Sequence, residues 1–316
     1  MGKLTHDAEG HAMRQTEEGG SAFWYVRLLR AVLSSASGKP CLGQKTIPGR
    51  EGEITNFPEF ATWLHETYGR HGLFEIFDLD AGFFSRRLFT FVDQNLGYGL
   101  VVGLKENQPE LLQEARRVLG RTKEKSPPEL VTPWERYQGT LMRRKLYRTG
   151  DLDGWLDWKN LRQVWLVVQE TATPPTGVLA RRHHAPDRDW CVETEERYFA
   201  TNLLWNRLSA AHILLVVRNH WSVENDCFHS LDVQWGEDRP AWCARGRAVI
   251  VLGWLRLLAY NLTQSLRRRH LRRPHPKLNT SSPWRWRSLF KLIAAELPSL
   301  APAWPLAPLS LPPPPS

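Results

Sequence analysis

Residues 73–109 read LFEIFDLDAGFFSRRLFTFVDQNLGYGLVVGLKENQP. The apolar runs Leu73–Leu79 and Tyr98–Leu104 have the length of buried strands, and each ends in polar, turn-forming residues: Asp80-Ala81-Gly82 after the first, Lys105 to Pro109 after the second. Between them Ser85–Leu96 has helical spacing. Strand, helix and strand at this separation predict a βαβ unit whose strands are parallel neighbours, and therefore an α/β fold. In such sheets functional groups gather just beyond the carboxyl ends of the strands, where Asp80 and Lys105 sit. Asp80 has two readings here, a catalytic carboxylate or the N-cap of the following turn.

Upstream, Ala22–Ser34 is rich in aromatic and β-branched residues; a Ser-Gly-Lys-Pro turn and Cys41–Ile47 follow, which predicts an antiparallel hairpin. Residues 1–21 show no periodicity and read as a loop. Ile54–Tyr68 places apolar residues at 57, 60, 61 and 64, a helical spacing, with Pro58 tolerable in the first turn. Downstream, Pro109–Gly120 is helical and SPPELVTP (126–133) marks a linker. From about Trp134 to Leu204 the segments LMRRKLYRT, NLRQVWLVVQET and ERYFATNLL alternate with polar loops, which predicts an all-β insertion. Helix returns at Leu208–Val217, continues through Trp221–Leu231 and resumes at Pro240–Arg268, where Ala248–Tyr260 reads as a core helix covering the sheet. A basic run, Arg267–Lys277, an amphipathic stretch, Trp286–Leu297, and a Pro-rich, disordered tail close the chain. The expected divisions are 1–125 (the first part of an α/β core), 126–206 (the β insertion), 207–297 (the helical remainder of the core) and 298–316 (the tail).

A chain of 316 residues with 42% apolar and 24% charged residues can bury a substantial core. Its 42 Lys and Arg against 33 Asp and Glu give a formal charge of +9, which fits a polyanionic partner as well as it fits a compositional bias. The 15 Trp serve equally for filling cores and for stacking on bases. The cysteines 41, 191, 227 and 243 lie far apart without a CxxC pair, so they read as ordinary thiols, neither a disulfide frame nor a zinc site. The opening MGKLTHDAEGHAMRQ has no apolar core and Ala248–Tyr260 is short for a bilayer span, so the expectation is a cytoplasmic protein with no membrane partner.

The second informative stretch is Arg218–Arg239, RNHWSVENDCFHSLDVQWGEDR. In helical form His220, Glu224 and Phe228 share one side, and Val223, Cys227 and Leu231 the next. A rigidly held Glu224 is either an ion-pair partner or a metal ligand. Asp80 at a strand end and Glu224 on a helix packed against that sheet are two carboxylates able to converge on Mg²⁺, which takes oxygen ligands and bridges substrate phosphates.

These residues resemble the DDE transposases of bacterial insertion sequences, in the ISAs-type branch that carries a β insertion before the catalytic Glu. The resemblance rests on Arg218, His220, Trp221, Val223, Glu224, Asn225, Leu231, Asp232, Val233, Glu237 and Asp238, on Asp80-Ala81, on Leu104-Lys105-Glu106-Asn107-Gln108, and on Leu42-Gly43-Gln44-Lys45 with Glu53-Ile54. It covers nearly all of residues 1–262. It implies an RNase H-like core, a mixed sheet flanked by helices with an inserted all-β subdomain, and Mg²⁺ or Mn²⁺ held by Asp80 and Glu224. It also implies cleavage and transfer of double-stranded DNA at transposon ends, by a homodimer assembled on paired ends. Lys105, Asn107, Arg218, His220, Trp221 and Asn225 would contact or position the DNA.

The family's first Asp closes an opening strand, and Met1 falls where that Asp should stand. The first core strand and one of three metal ligands are therefore expected to be missing. A truncated, inactive remnant that at most binds DNA is the competing expectation. Arg267–Lys277 and the group Arg143, Arg144, Lys145 and Arg148 read either as phosphate-tracking surface or as solvated charge guarding a tail and a sheet edge.

Overall fold

β4 (Ile76–Leu79) and β5 (Gly99–Leu104) pair in parallel, Ile76 opposite Gly99 and Leu79 opposite Val102, as their two apolar runs predict. The computed structural model describes residues 4, 7–16, 19–20, 22–34, 39–152, 157–176, 180, 183–237 and 246–269, with the backbone alone at 225, 226, 246 and 267–269. Ahead of β4 come β1 (Ala12–Thr16), β2 (Ala22–Val32), β3 (Cys41–Ile47) and α1 (Glu53–Thr67). The helix α2 (Arg86–Thr90) runs on as a π-type segment, Phe91–Leu96, and connects β4 to β5; Gly97, at φ 72°, supplies the left-handed turn between that segment and β5. After β5 follow α3 (Pro109–Lys125), β6 (Leu130–Val131), β7 (Glu135–Tyr137), β8 (Thr140–Thr149), β9 (Gln163–Thr173), β10 (Cys191–Thr201), α4 (Ala210–Ser222) and α5 (Gly246–Arg269).

The fold is α/β: a mixed sheet in the order β4-β5-β10-β9-β8-β6, with β7 on β8, flanked by helices as an RNase H-like core requires. Burial on both faces explains why β5 and the Val164–Val168 half of β9 are apolar. Leu100, Val102 and Leu104 of β5, with Val164, Leu166 and Val168 of β9, pack with Phe57, Phe60, Leu112 and Leu119 of α1 and α3. Val101, Trp165 and Val167 face the other way, against Ile213, Leu214 and Val217 of α4. Neither face meets water, so neither can be polar. The strands of the insertion extend this sheet, since β10 pairs antiparallel with β5 (Tyr198 opposite Leu104) and with β9.

At the junction Asn202, 7% exposed, accepts from Leu100 N at 2.6 Å and donates to Asp93 Oδ1 at 2.8 Å and Tyr98 O at 2.9 Å. Asn202→Ala strands those buried groups and should lower the free energy of unfolding by about 1–3 kcal/mol. A urea midpoint unchanged from wild type would show that water replaces the amide at no loss.

A second sheet, β1-β2-β3, is antiparallel throughout. The β2–β3 hairpin is the predicted one. Residues 12–16, read from sequence as loop, are β1, because the edge of β2 offers them Ala22–Val26 as a partner that propensity cannot report. Among the described residues no strand joins the two sheets, and β4 has a neighbour on one side only. In α1 the buried residues include Phe57, Phe60, Ala61 and Leu64, the predicted stripe; Pro58 lies past the first turn, so the helix forgoes one backbone bond there.

The long helix departs from its reading. α5 buries Val249, Leu257 and Tyr260, while Val251, Trp254, Leu255, Leu258, Leu262 and Leu266 are exposed, so it covers β3 with one face and presents a second apolar face outward. Arg247–Leu266 is long and apolar enough to cross a bilayer by length and composition alone. The basic run beyond Arg269, the stretch 286–297 and the tail lie outside the described residues.

Candidate functional site

Asp78 and Asp80 are two apart at the end of β4, so extended backbone turns both side chains to one face, the face on which α4 packs. Asp80 Oδ1 accepts from Ala81 N at 2.7 Å, and Lys105 Nζ lies 3.5 Å from the same oxygen with both side chains largely exposed. The capping reading of Asp80 therefore holds, and its exposed carboxylate stays available for the catalytic one. Asn107 Nδ2 donates to Ala81 O at 2.7 Å and Gln108 Nε2 to Phe84 O at 3.2 Å. Lys105 to Gln108 thus buckle the loop after β5 onto the loop that carries Asp80.

Ser209 caps α4 through His212 N, and the helix lays Ile213, Leu214 and Val217 on the sheet, which carries His220 to β4. His220 Nδ1 lies 3.0 Å from Asp78 Oδ1, with the side chains 14% and 21% exposed. Burial lowers the His220 pKa, but the hydrogen bond and charge of Asp78, joined by the charges of Glu224 and Asp80, hold it above the ordinary imidazole value. Burial raises the Asp78 carboxyl above the usual carboxylate range, against the pull of His220. One imidazole thus lies in the field of both predicted acids. Glu224 is exposed on the π-type segment Val223–Phe228, where the chain departs from α-helical hydrogen bonding; of the side read as Val223, Cys227 and Leu231, the last two are buried and Val223 is half-buried.

Trp221 packs edge-on against Phe199 at 6.1 Å, under Arg197, whose Cζ is 3.9 Å from the ring centre. Arg218 reaches Glu135 at 3.2 Å and Arg144 the same carboxylate at 3.8 Å. Burial first, then the neighbouring Arg218 and Arg197, lower the Arg144 pKa despite Glu135. Positive charge is thus concentrated where the insertion meets the end of α4. Arg143 and Lys145, on the opposite face of β8, both pair with Glu170, and Arg148 with Glu129, so these three answer to internal carboxylates. The side chain of Asn225 lies outside the described residues.

Sequence reasoning missed Asp78 and the pair Arg30–Glu237. The Asp-Leu-Asp alternation at the strand end was the available signal for the first. The second joins residues 207 apart: Arg30 grips Glu237 with two bonds of 2.8 and 3.0 Å and donates to Gln44 at 3.1 Å. This fastens the end of the segment bearing Glu224 to β2.

The donor chemistry fits a hard divalent cation in part. Asp80 and Glu224 are exposed carboxylates, while among the described residues no group of three or more His, Cys, Asp or Glu gathers to hold a metal. Two carboxylates match a cation whose remaining ligands come from water and substrate phosphate. A family model described as Transposase DDE domain matches residues 5–262. No curated protein matches the chain.

Proposed function

The chain belongs to the transposase DDE domain family, and from that premise we propose that it cleaves and transfers strands of double-stranded DNA at the ends of an insertion sequence of the ISAs type, using Asp80 and Glu224. The observation that carries this reading is the 3.0 Å contact between His220, four residues before Glu224, and Asp78, two residues before Asp80, which brings the segment bearing Glu224 to the strand end bearing Asp80. Mg²⁺ or Mn²⁺, when bound there with a DNA phosphate, supplies Lewis-acid stabilisation of the displaced oxygen. Asp80 and Glu224 would hold such an ion through their carboxylate oxygens. Asp78 orients His220, and Asn107 fixes the loop of Asp80. Trp221 seats the end of α4 on the sheet.

Lys105 and Arg218, both mostly exposed, take the phosphate contacts, with Asn225 beside Glu224 assigned to DNA by the family likeness. Arg218→Ala should weaken DNA binding about equally for all sequences and reduce the slope of log affinity against log salt by about one. An unchanged slope in fluorescence anisotropy titrations removes Arg218 from the interface. Assembly of two copies on paired ends is part of the same proposal.

A second reading, DNA binding without cleavage, is favoured because, among the described residues, no third carboxylate joins Asp80 and Glu224 in a metal-binding group and β4 pairs with β5 alone. Supercoiled plasmid carrying the gene and its flanks, incubated with the full chain and Mg²⁺ or Mn²⁺, separates the two. Nicking that chelation abolishes supports the enzyme. Retention of the plasmid without nicking supports the binding protein.

A further inference from the structure

Cys41 in β3 and Cys227, three residues beyond Glu224, are 186 positions apart in sequence, yet their Sγ atoms are 3.4 Å apart. Both are buried, Cys41 4% exposed and Cys227 not at all, in a cluster with Leu231, Leu257 and Tyr260. Asn261 of α5 clamps Cys41 from both sides, accepting from its N at 2.8 Å and donating to its O at 2.7 Å. Two thiols without a third ligand among the described residues suit a disulfide rather than zinc.

We propose that Cys41 and Cys227 are an oxidative modification site, closed by peroxide into a disulfide that ties the Glu224-bearing segment to β3. The hydrogen bond from Cys41, then one from Tyr260, hold the Cys227 thiol below its ordinary range against burial, while the contact with Cys227 and burial push Cys41 up. These directions favour Cys227 as the attacking sulfur, and the same bond forms with the roles exchanged. Its sulfur attacks hydrogen peroxide, giving a sulfenic acid and water; Cys41 then attacks that sulfur, forming the S–S bond and releasing a second water. Overall two thiols and one peroxide become one disulfide and two waters. The sulfurs close from 3.4 Å to about 2.05 Å, a movement within reach of side-chain rotation.

The segment so fixed carries Glu224 and ends at the Arg30–Glu237 pair, so the crosslink locks the carboxylate's mount at a second point. Its effect on DNA cleavage rests on the function proposed above; the chemistry of the bond does not. The full chain is exposed to hydrogen peroxide, denatured in an alkylating agent and digested without reduction. Mass spectrometry is expected to show a linked Cys41–Cys227 peptide that dithiothreitol reverses. The melting midpoint should rise by roughly 5–10 °C, because the closed loop is long. Cys191→Ser should leave the link intact and Cys41→Ser should abolish it; the exposed Cys191 reports that oxidant was sufficient. Alkylation of both Cys41 and Cys227 after Cys191 has been oxidised, or a link through Cys191 or Cys243 instead, overturns the proposal whatever the DNA assays show.

Discussion

Glu224→Gln and Asp80→Asn are each expected to lower metal-dependent nicking by roughly a hundred- to a thousandfold, the loss that follows when several kcal/mol of cation-mediated stabilisation are withdrawn. Both substitutions keep size and remove charge, so packing is spared. Glu224 is exposed and Asp80 largely so, and neither supports the core. DNA retention should persist or rise slightly, because a negative charge near the phosphates is gone. Asp80→Asn keeps an oxygen to accept from Ala81 N, so the turn it caps should survive. Equal nicking by wild type and either variant, in a single-turnover plasmid assay, would remove these carboxylates from the chemistry.

The second large effect is on stability. Glu237→Leu leaves the Arg30 guanidinium charged and buried without its carboxylate, which should cost about 3–5 kcal/mol. The side chains of Arg30 and Glu237 are 8% and 3% exposed, so water cannot take over. Arg30→Met combined with Glu237→Leu should regain most of the loss, because neither charge then remains to be solvated. Burial raises the Glu237 pKa, but the bond and charge of Arg30 prevail and hold it below the usual carboxylate range. The sign follows directly. A carboxylate whose folded pKa is depressed contributes stability that is complete above its unfolded value, about 4.3, and is lost as pH falls through the folded pKa. Glu237→Gln should therefore lose stability at neutral pH and show a shallower decline in acid. Chemical denaturation at pH 7 and pH 3 measures both; equal differences from wild type at the two pH values would exclude this linkage.

The sequence by itself determined the βαβ unit, the β2–β3 hairpin, the stripe of α1 and the positions of Asp80 and Glu224. These rest on local patterns: apolar runs of strand length, helical spacing, and polar residues at strand ends. The family likeness was legible for the same reason, since its motifs are short and contiguous. Only the tertiary structure decided what those residues meet. Residues 12–16 become a strand through the edge of β2, and α5 covers β3 with one face and leaves a second apolar face outside. Asp78 reaches His220 across 142 positions, Arg30 reaches Glu237 across 207, and Cys41 reaches Cys227 across 186. Contacts so distant in sequence leave no periodic trace, because nothing in local backbone preference depends on them; they exist once the helices have packed on the sheets.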